Sequence, residues 1–536
     1  MLLDLPKDIL IYFGNLLPTK DYVRVRLVCR SLYDLFTPPE VRKLLPHQIL
    51  HFFSMMHILE YNIEAIDGSF MGSGKTFNIC AIASRRQLSL TVICPKTVKG
   101  VWKSTAAIFG IQDIVIYTYA KMRMTNDFLE FTDDPNYRPQ VNQQGITIHN
   151  KMEKKMVTIK QEWIDRVKKG TLFALDESQN IKNKTYQFKC ALEMTKVLRT
   201  IRGKSKIMLV SGTLMDDPEQ IQRICQMMGI IESESLARYD IQNGYTLEGM
   251  DELIDYCIKD SYQRERLKST VTPKNKFEIC TELYETYIAP MRSFCMPIPP
   301  VNASFDIKDG YYKMDFDDME LIRAGIRKLR GALAIAEDQR RLGNDFWEVV
   351  QHALESIELG KLRLFIRLSL IIMNWDKHAK IIFLLNYKKP MAKLYEILKD
   401  HDAVLLESKL NEKKRQELID RFNIPNHRGG ARIFISSVAL SSYGISLHDT
   451  DGRFPRVMFI NPNYSIISLI QGLYRIFRTG IKGVAIGRFV MCKEPDCIET
   501  SMLRRIAAKC KFMNRIKPSV LKDIKYPGEY PKYIEE

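Results

Sequence analysis

The chain has 536 residues, 46% of them hydrophobic and 27% charged, which is apolar enough for large cores and long enough for about three domains. The formal net charge is +17, an excess that suits a polyanion, nucleic acid first; the plainer reading is a basic but otherwise ordinary enzyme. The 11 cysteines form no CxxC pair, so no zinc site is expected and reduced, buried thiols are.

Asp4 and Asp8 interrupt the apolar start, so no signal peptide is expected. Leu364 to Met373 is apolar but short and contains Arg367, and reads as a buried helix, not a membrane span. A soluble intracellular protein is the expectation. Residues 1–40 open with Leu5-Pro6-Lys7-Asp8-Ile9-Leu10, a helix start with proline near its first turn, closed by Leu16-Leu17-Pro18. Asp21 starts a second helix with Val23, Val25, Leu27, Val28, Leu32 and Leu35 as its apolar stripe. So short a segment cannot hide these residues alone. The pattern Leu-Pro-x-Asp-Ile-Leu, then Asp21, Val28-Cys29-Arg30 and Leu32-Tyr33, resembles the F-box. That resemblance implies docking on a Skp-type adaptor of a ubiquitin ligase; the alternative is a helical hairpin packed on the body of the protein.

From Leu44 to about Pro290 strands and helices alternate, the signature of an α/β domain. Phe70-Met71-Gly72-Ser73-Gly74-Lys75-Thr76 is a short GxGKT phosphate loop, with Ser69 where a first glycine usually stands, and Asn78 to Ala83 reads as the helix behind it. Gly72 and Gly74 allow a tight turn whose N–H groups, with the helix N-terminus, favour anionic oxygens. Lys75 would reach the outer phosphates and the Thr76 hydroxyl would hold Mg²⁺. The bland alternative is a glycine turn before a helix. Strands are expected at Thr91–Cys94, Ile114–Tyr117, Thr171–Leu175 and Ile207–Val210. Residues 123–160 are polar throughout and read as a surface insertion. Asp176-Glu177-Ser178-Gln179 follows a buried strand, where open α/β sheets place ligands. Asp176 can hold Mg²⁺, and Glu177 can share that cation and orient or deprotonate an attacking water. Asp-Glu at a strand end is otherwise a common solvated turn.

Pro297-Ile298-Pro299-Pro300 marks a candidate boundary, and residues 316–374 look mostly helical. Strands return at Lys380–Leu384, Ala403–Leu406, Arg432–Ile435 and Arg456–Ile460, a second α/β unit. Arg475 and Arg478 are three apart, which would place both on one helix face. An arginine near a γ-phosphate stabilises the charge of phosphoryl transfer; in isolation the pair is better read as a solvated basic face.

These pieces, in this order, resemble the superfamily 2 helicase-like ATPases, and within them the Swi/Snf branch, over roughly residues 44–510. Leu45-Pro46-His47-Gln48 resembles the adenine-reading segment, with Gln48 as reader. Gly72 to Thr76 matches motif I, Cys94-Pro95 with Trp102 resembles motif Ia, and Thr118-Tyr119 resembles the next. Asp176 to Asn183 looks like the DEAH-x-x-Lys-Asn form of motif II, and Ser211-Gly212-Thr213 is motif III. Lys380 to Asn386 resembles motif IV, Ser437 through Gly444-Ile445-Ser446-Leu447 motif V, and Gln471 to Arg478 motif VI. The resemblance implies an α/β fold of two RecA-like lobes, parallel sheets flanked by helices. The expected organisation is an F-box-like module (1–40), an ATP-binding lobe (44–296), a helical insertion (301–374), a second lobe (375–497), and a bracing helix with tail (498–536). It also implies ATP and Mg²⁺ as ligands. Gln48, Met71 to Thr76, Gly444 and Gln471 would bind nucleotide; Thr76, Asp176 and Glu177 would bind the metal; Lys75, Asp176, Glu177, Arg475 and Arg478 would be catalytic, with Arg478 as the finger.

The implied activity is a nucleic-acid-dependent ATPase moving along duplex DNA through its phosphate backbone. The rivals are an RNA helicase of the same superfamily and an F-box adaptor whose lobes only bind a target. Some positions depart from the family pattern: Gln179 stands for histidine, Tyr474 for a small or acidic residue, Phe477 for histidine and Ile481 for glutamine, while Ser441 and Ser442 replace motif V glycines. An F-box joined to a compact enzyme of this kind resembles helicases of large DNA viruses, which implies a nuclear or viral-replication compartment.

Overall fold

The central strands of two large sheets read as apolar runs because both of their faces are covered, as parallel sheets require. The computed structural model describes residues 38–135, 140–141, 147–148, 155–240, 244–296, 303–339, 344–441, 445–478, 480–493 and 498–516. The helices expected over 1–37, the Pro297–Pro300 boundary, Gly444 and the tail beyond 516 lie outside them. The chain divides near residue 298 into two compact units, and residues from Phe512 onward in the last helix count with the first.

In the first unit, α1 (Pro46–Tyr61) leads into β1 (Glu64–Asp67), then α2 (Lys75–Arg85), β2 (Ser89–Cys94), α3 (Lys99–Ile108) and β3 (Ile114–Thr118). Further on come β4 (Leu129–Asp133), β5 (Lys155–Ile159), α4 (Gln161–Lys169), β6 (Thr171–Asp176), α5 (Tyr186–Ile201), β7 (Lys206–Val210), α6 (Glu219–Met227) and β8 (Ser293–Phe294). Six strands form one sheet in the order β8-β1-β7-β6-β2-β3, all parallel. Alternate residues feed opposite cores. Phe173, Leu175, Ile207 and Leu209 pack with Trp163 and Met194, while Leu172, Ala174, Met208 and Val210 pack with Phe52, Ile79 and Trp102. Val41 and Leu44 also belong to the second cluster. Each such side chain, fully buried, contributes about 1.5–3 kcal/mol.

The polar segment 123–160 is not all loop: β4 and β5 pair antiparallel from Leu129↔Ile159 to Asp133↔Lys155, and Phe131 packs on Tyr186 with ring centroids 5.5 Å apart.

The second unit begins with a strand that sequence reasoning missed. Residues 305–312, expected within a helical insertion, form β9 (Phe305–Tyr312), parallel to a later strand in the second sheet. The helices α7 (Phe316–Gln339), α8 (Asn344–Leu359) and α9 (Leu362–Trp375) follow. Then come β10 (Lys380–Leu385), α10 (Lys388–Leu398), β11 (Ala403–Leu406), α11 (Glu412–Asn423), β12 (Ile433–Ser437), β13 (Arg456–Ile460), α12 (Ile466–Leu473), β14 (Ala485–Cys492) and α13 (Ile498–Ile516). The sheet order is β9-β14-β13-β10-β12-β11, again all parallel. The apolar run at 364–373 is α9, and no described helix is long and apolar enough to cross a membrane.

Polar groups at the core of this unit tie its helices to the sheet. Glu358, fully buried at the end of α8, accepts hydrogen bonds from the backbone N–H groups of Asn386 (2.9 Å) and Tyr387 (3.0 Å) and from Asn461 Nδ2 (2.5 Å). The Lys361 ammonium donates to Asn461 Oδ1 (2.7 Å), to the Val490 carbonyl (2.8 Å) and to Glu499 of α13. Glu499 also accepts from the Cys492 N–H at 2.8 Å. Lys361 is fully buried and Glu499 nearly so. Removing one member of such a pair leaves the other charge stranded. Glu499→Ala is therefore expected to destabilise the second unit by about 3–5 kcal/mol, read as a lower urea midpoint for that unit; an unchanged midpoint would show that Asn461 and the Val490 carbonyl satisfy the ammonium alone.

Candidate active site

Three loops leave the first sheet from the carboxyl ends of adjacent strands. The register aligns Asp67 of β1 with Val210 of β7, and Val210 with Asp176 of β6. The phosphate loop follows β1, Ser211-Gly212-Thr213 follows β7, and Glu177 follows Asp176, so topology alone brings motifs I, II and III together. They are in contact: a Cβ at Gly212 would lie 3.0 Å from the Ser69 carbonyl oxygen.

Gly72 and Gly74 have φ of +81° and +86°, the left-handed region that glycine adopts without strain. Gly74 is doubly constrained, since a Cβ there would fall 1.7 Å from Gln48 Nε2. The Gln48 side chain is buried against the loop: Nε2 donates to the Ser73 carbonyl at 3.3 Å, and Oε1 accepts the Leu45 N–H at 2.9 Å. Helix α2 begins at Lys75, which aims its first N–H groups at the loop. Thr76, half-buried, is in that first turn. The Lys75 ammonium donates to the carbonyls of Ser69 (2.9 Å) and Phe70 (3.1 Å). Ser73 Oγ and Thr213 Oγ1 are buried with no hydrogen-bond partner among the described residues. These two hydroxyls and the glycine cradle fit a polyphosphate, whose oxygens are acceptors.

Asp176, half-buried, closes β6. The Trp102 indole N–H donates to its Oδ2 at 2.7 Å, the Glu177 N–H donates to Oδ1 at 3.0 Å, and Tyr119 Oη donates to its backbone carbonyl at 2.8 Å. Burial, then the neighbouring Glu177 charge, raise the Asp176 carboxyl to about 7, with Trp102 and Lys75 opposing. Two close carboxylates with so few donors fit a divalent cation. Glu177 has φ +53°, the left-handed region that residues with side chains adopt uncommonly.

Gln179, in the place of the family's histidine, supplies both ends of a relay. Its Nε2 donates to Glu177 Oε2 at 2.7 Å, its Oε1 accepts from Ser211 Oγ at 2.6 Å, and Ser211 Oγ accepts the Thr213 N–H at 3.0 Å. An amide carries a donor and an acceptor as a neutral imidazole does, so this departure keeps motif II connected to motif III. Lys182 forms an ion pair with Asp216, and Gln220 Nε2 bonds the same carboxylate at 2.9 Å.

In the second unit the expected placement of the arginines needs correction. Helix α12 ends at Leu473, so Arg475 and Arg478 lie on the turn after it and not on a helix face. Both grip motif V. Arg475, buried, donates from Nε to the Ser441 carbonyl at 2.8 Å; Arg478, half-buried, donates to Ser446 Oγ at 2.7 Å and to the Ile445 carbonyl at 3.1 Å. Gln471 is buried within α12, and the expected nucleotide contact at Gly444 is outside the described residues. The two aromatic departures in motif VI belong together: Phe477 stacks on Phe305 of β9, centroids 4.3 Å apart and planes 6° apart, and Tyr474 packs on the same ring at 5.5 Å.

The first unit thus assembles Gln48, the loop from Met71 to Thr76, Asp176 and Glu177, and the second assembles Gln471, Arg475 and Arg478. Sequence reasoning missed His51, Asp67 and Asn78, which are buried and hydrogen-bonded to one another behind the loop. A histidine one turn after Gln48 was the only available signal.

Residues 360–480 match the helicase conserved C-terminal domain, and residues 2–44 match the F-box domain. A protein of Acanthamoeba polyphaga mimivirus, named as a candidate ATP-dependent RNA helicase, is 22% identical over 491 residues, 90% of this chain and 85% of the relative. Among solved structures, the Sulfolobus solfataricus SWI2/SNF2 ATPase core in complex with dsDNA is 14% identical, with 84% of this chain and 88% of that one covered and a TM-score of 0.30. Saccharomyces cerevisiae Dbp5 bound to RNA and ADP BeF3 is 13% identical, with 92% and 96% covered and a TM-score of 0.38.

The raised Asp176 carboxyl has a consequence for stability. A carboxyl at about 7 in the native state and 3.8 when free binds protons more tightly folded than unfolded between those values. Its contribution therefore falls as pH rises from about 4 to 7. Asp176→Asn should melt a few degrees above the parent at pH 8 in the absence of nucleotide and Mg²⁺, with a smaller gain at pH 5. Glu358, also raised to about 7 by burial, leaves a residual dependence of the same sign in both proteins. An equal shift at the two pH values would show that Asp176 stays ionised throughout.

Proposed function

We propose that this chain is a helicase-type ATP hydrolase, stimulated by nucleic acid, that translocates along duplex DNA. The observation that carries the reading is the junction of the phosphate loop with Asp176, Glu177 and the Gln179–Ser211 relay at three neighbouring strand ends. Lys75 binds the outer phosphates in the ground state. Thr76, Asp176 and Glu177 would hold Mg²⁺, which neutralises phosphate charge when bound. Glu177, oriented by Gln179, aligns the attacking water and takes its proton. Arg478 stabilises charge that develops on the transferred phosphoryl group, and Arg475 keeps motif V in shape beside it.

The net charge of +17 supports a polyanionic track. The resemblance of Asp176 to Asn183, and of Trp102, to the Swi/Snf pattern favours DNA. A second reading, an RNA helicase, draws on the name of the mimivirus relative. For residues 1–40 we propose docking on a Skp-type adaptor, in line with the F-box match. The match ends on residues that serve the ATPase unit, because Val41 and Leu44 are buried in its core.

Turnover with duplex DNA against single-stranded RNA tests the track. Duplex DNA is expected to stimulate hydrolysis more, and the reverse would favour the RNA reading. Lys75→Ala is expected to weaken ATP binding, whereas Glu177→Gln should bind ATP normally and turn over at least about tenfold more slowly; equal loss of affinity in both would remove Glu177 from water activation. Deleting residues 1–38 should leave ATPase activity and melting temperature nearly unchanged and abolish adaptor pull-down. A large loss of stability with no adaptor binding by the intact chain would assign the segment to the ATPase body instead.

A further inference from the structure

His51 is fully buried on α1, one turn beyond Gln48. Its ring reaches three parts of the phosphate-binding apparatus. Nε2 is 2.9 Å from Asp67 Oδ2 at the end of β1 and 3.3 Å from Ser69 Oγ at the start of the loop. Nδ1 is 2.6 Å from Asn78 Nδ2 in α2. One face stacks on Phe294 of β8, with centroids 5.3 Å apart. With a proton on Nε2 the ring faces Asp67 and Ser69, while Nδ1 pairs with the Asn78 side-chain amide.

The bonds continue into the loop. Asp67 Oδ1 accepts the Ser69 N–H at 3.1 Å, and Ser69 Oγ accepts the Met296 N–H at 2.9 Å. The Ser69 carbonyl is one of the two that hold Lys75. Burial pushes the Asp67 carboxyl up, but His51, the hydrogen bonds and the Lys75 charge outweigh it and hold it below the usual range. A buried carboxylate kept ionised in this way depends on its partners.

Helix α1 therefore grips the phosphate loop at both ends, through His51 at Asp67 and Ser69 and through Gln48 at Ser73. We propose that His51 is a positioning residue for nucleotide binding: it locks α1 to the start of the loop, so that Gln48 and Lys75 meet the nucleotide as one preformed unit. This rests on the nucleotide-site reading above. It goes beyond it by making the affinity for ATP depend on a residue that touches neither base nor phosphate.

The test uses the full chain and ATP, with direct binding and steady-state turnover measured beside melting temperature. His51→Phe keeps the ring and its stacking and removes both nitrogens. It is expected to raise KM and the dissociation constant for ATP about tenfold while kcat at saturation changes by less than about threefold. His51→Gln, which retains an amide donor toward Asp67, should recover part of the affinity. Combined with Gln48→Ala, either variant should lose less affinity than the sum of the single losses, because both residues act through one loop. A lowered melting temperature with unchanged ATP affinity, or strictly additive losses, would overturn the proposal and leave His51 a core residue. If His51→Phe does not fold, the His51→Gln cycle with Gln48→Ala decides by the same additivity criterion. A parent protein that neither binds nor hydrolyses ATP would overturn the nucleotide reading itself. Loss of binding in Lys75→Ala but not in the His51 variants would overturn only this inference.

Discussion

Asp67, Val210 and Asp176 sit side by side on three adjacent parallel strands, and parallel strands that end at the same edge force their following loops together. That row determines what the first unit can do. A slip of one residue would turn Asp176 to the opposite face and carry Trp102 and Tyr119 out of reach of it. The close approach of Gly212 to the Ser69 carbonyl leaves no slack to absorb such a slip. The cores on both faces hold the register, because each strand contributes alternately to two separate clusters.

Two carboxyls, Asp176 and Glu358, are both pushed up to about 7, chiefly by desolvation, yet their surroundings differ. Glu358 is supplied with donors, two backbone N–H groups and two side-chain amides, and fastens the start of α10 to the core. Asp176 has one indole and one backbone N–H on its two oxygens, and a second carboxylate beside it. The first is a completed structural joint. The second has fewer donors and another carboxylate beside it, and the proposed cation site rests on that difference. Degree of satisfaction, more than the size of the shift, separates the two.

Much of this was legible in the sequence for identifiable reasons. The buried parallel strands read as apolar runs, and the phosphate loop and the Asp-Glu pair announced themselves because glycines and carboxylates are short-range signals. What failed was long-range or mixed in character. Phe305–Tyr312 interleaves aromatic residues with Asp306, Lys308 and Asp309, and its place at the sheet's edge explains why such a pattern is tolerated. Arg475 and Arg478 have helical spacing, but the helix stops at Leu473 and the backbone turns so that both can bond motif V. The His51 network joins residues 51, 67, 69, 78 and 294, a constellation that no local window contains.

Phe477 and Phe305 lie flat against each other, with Tyr474 at the edge, and the positions come from opposite ends of the second unit's chain. Each ring covers a face of the other. Changing residue 477 alone would strip Phe305 of its cover, and changing Phe305 alone would strip residue 477. The stack therefore couples the two positions: a change at either one alone uncovers the ring at the other. Residues 305 and 477, far apart in sequence, therefore behave as a single structural unit.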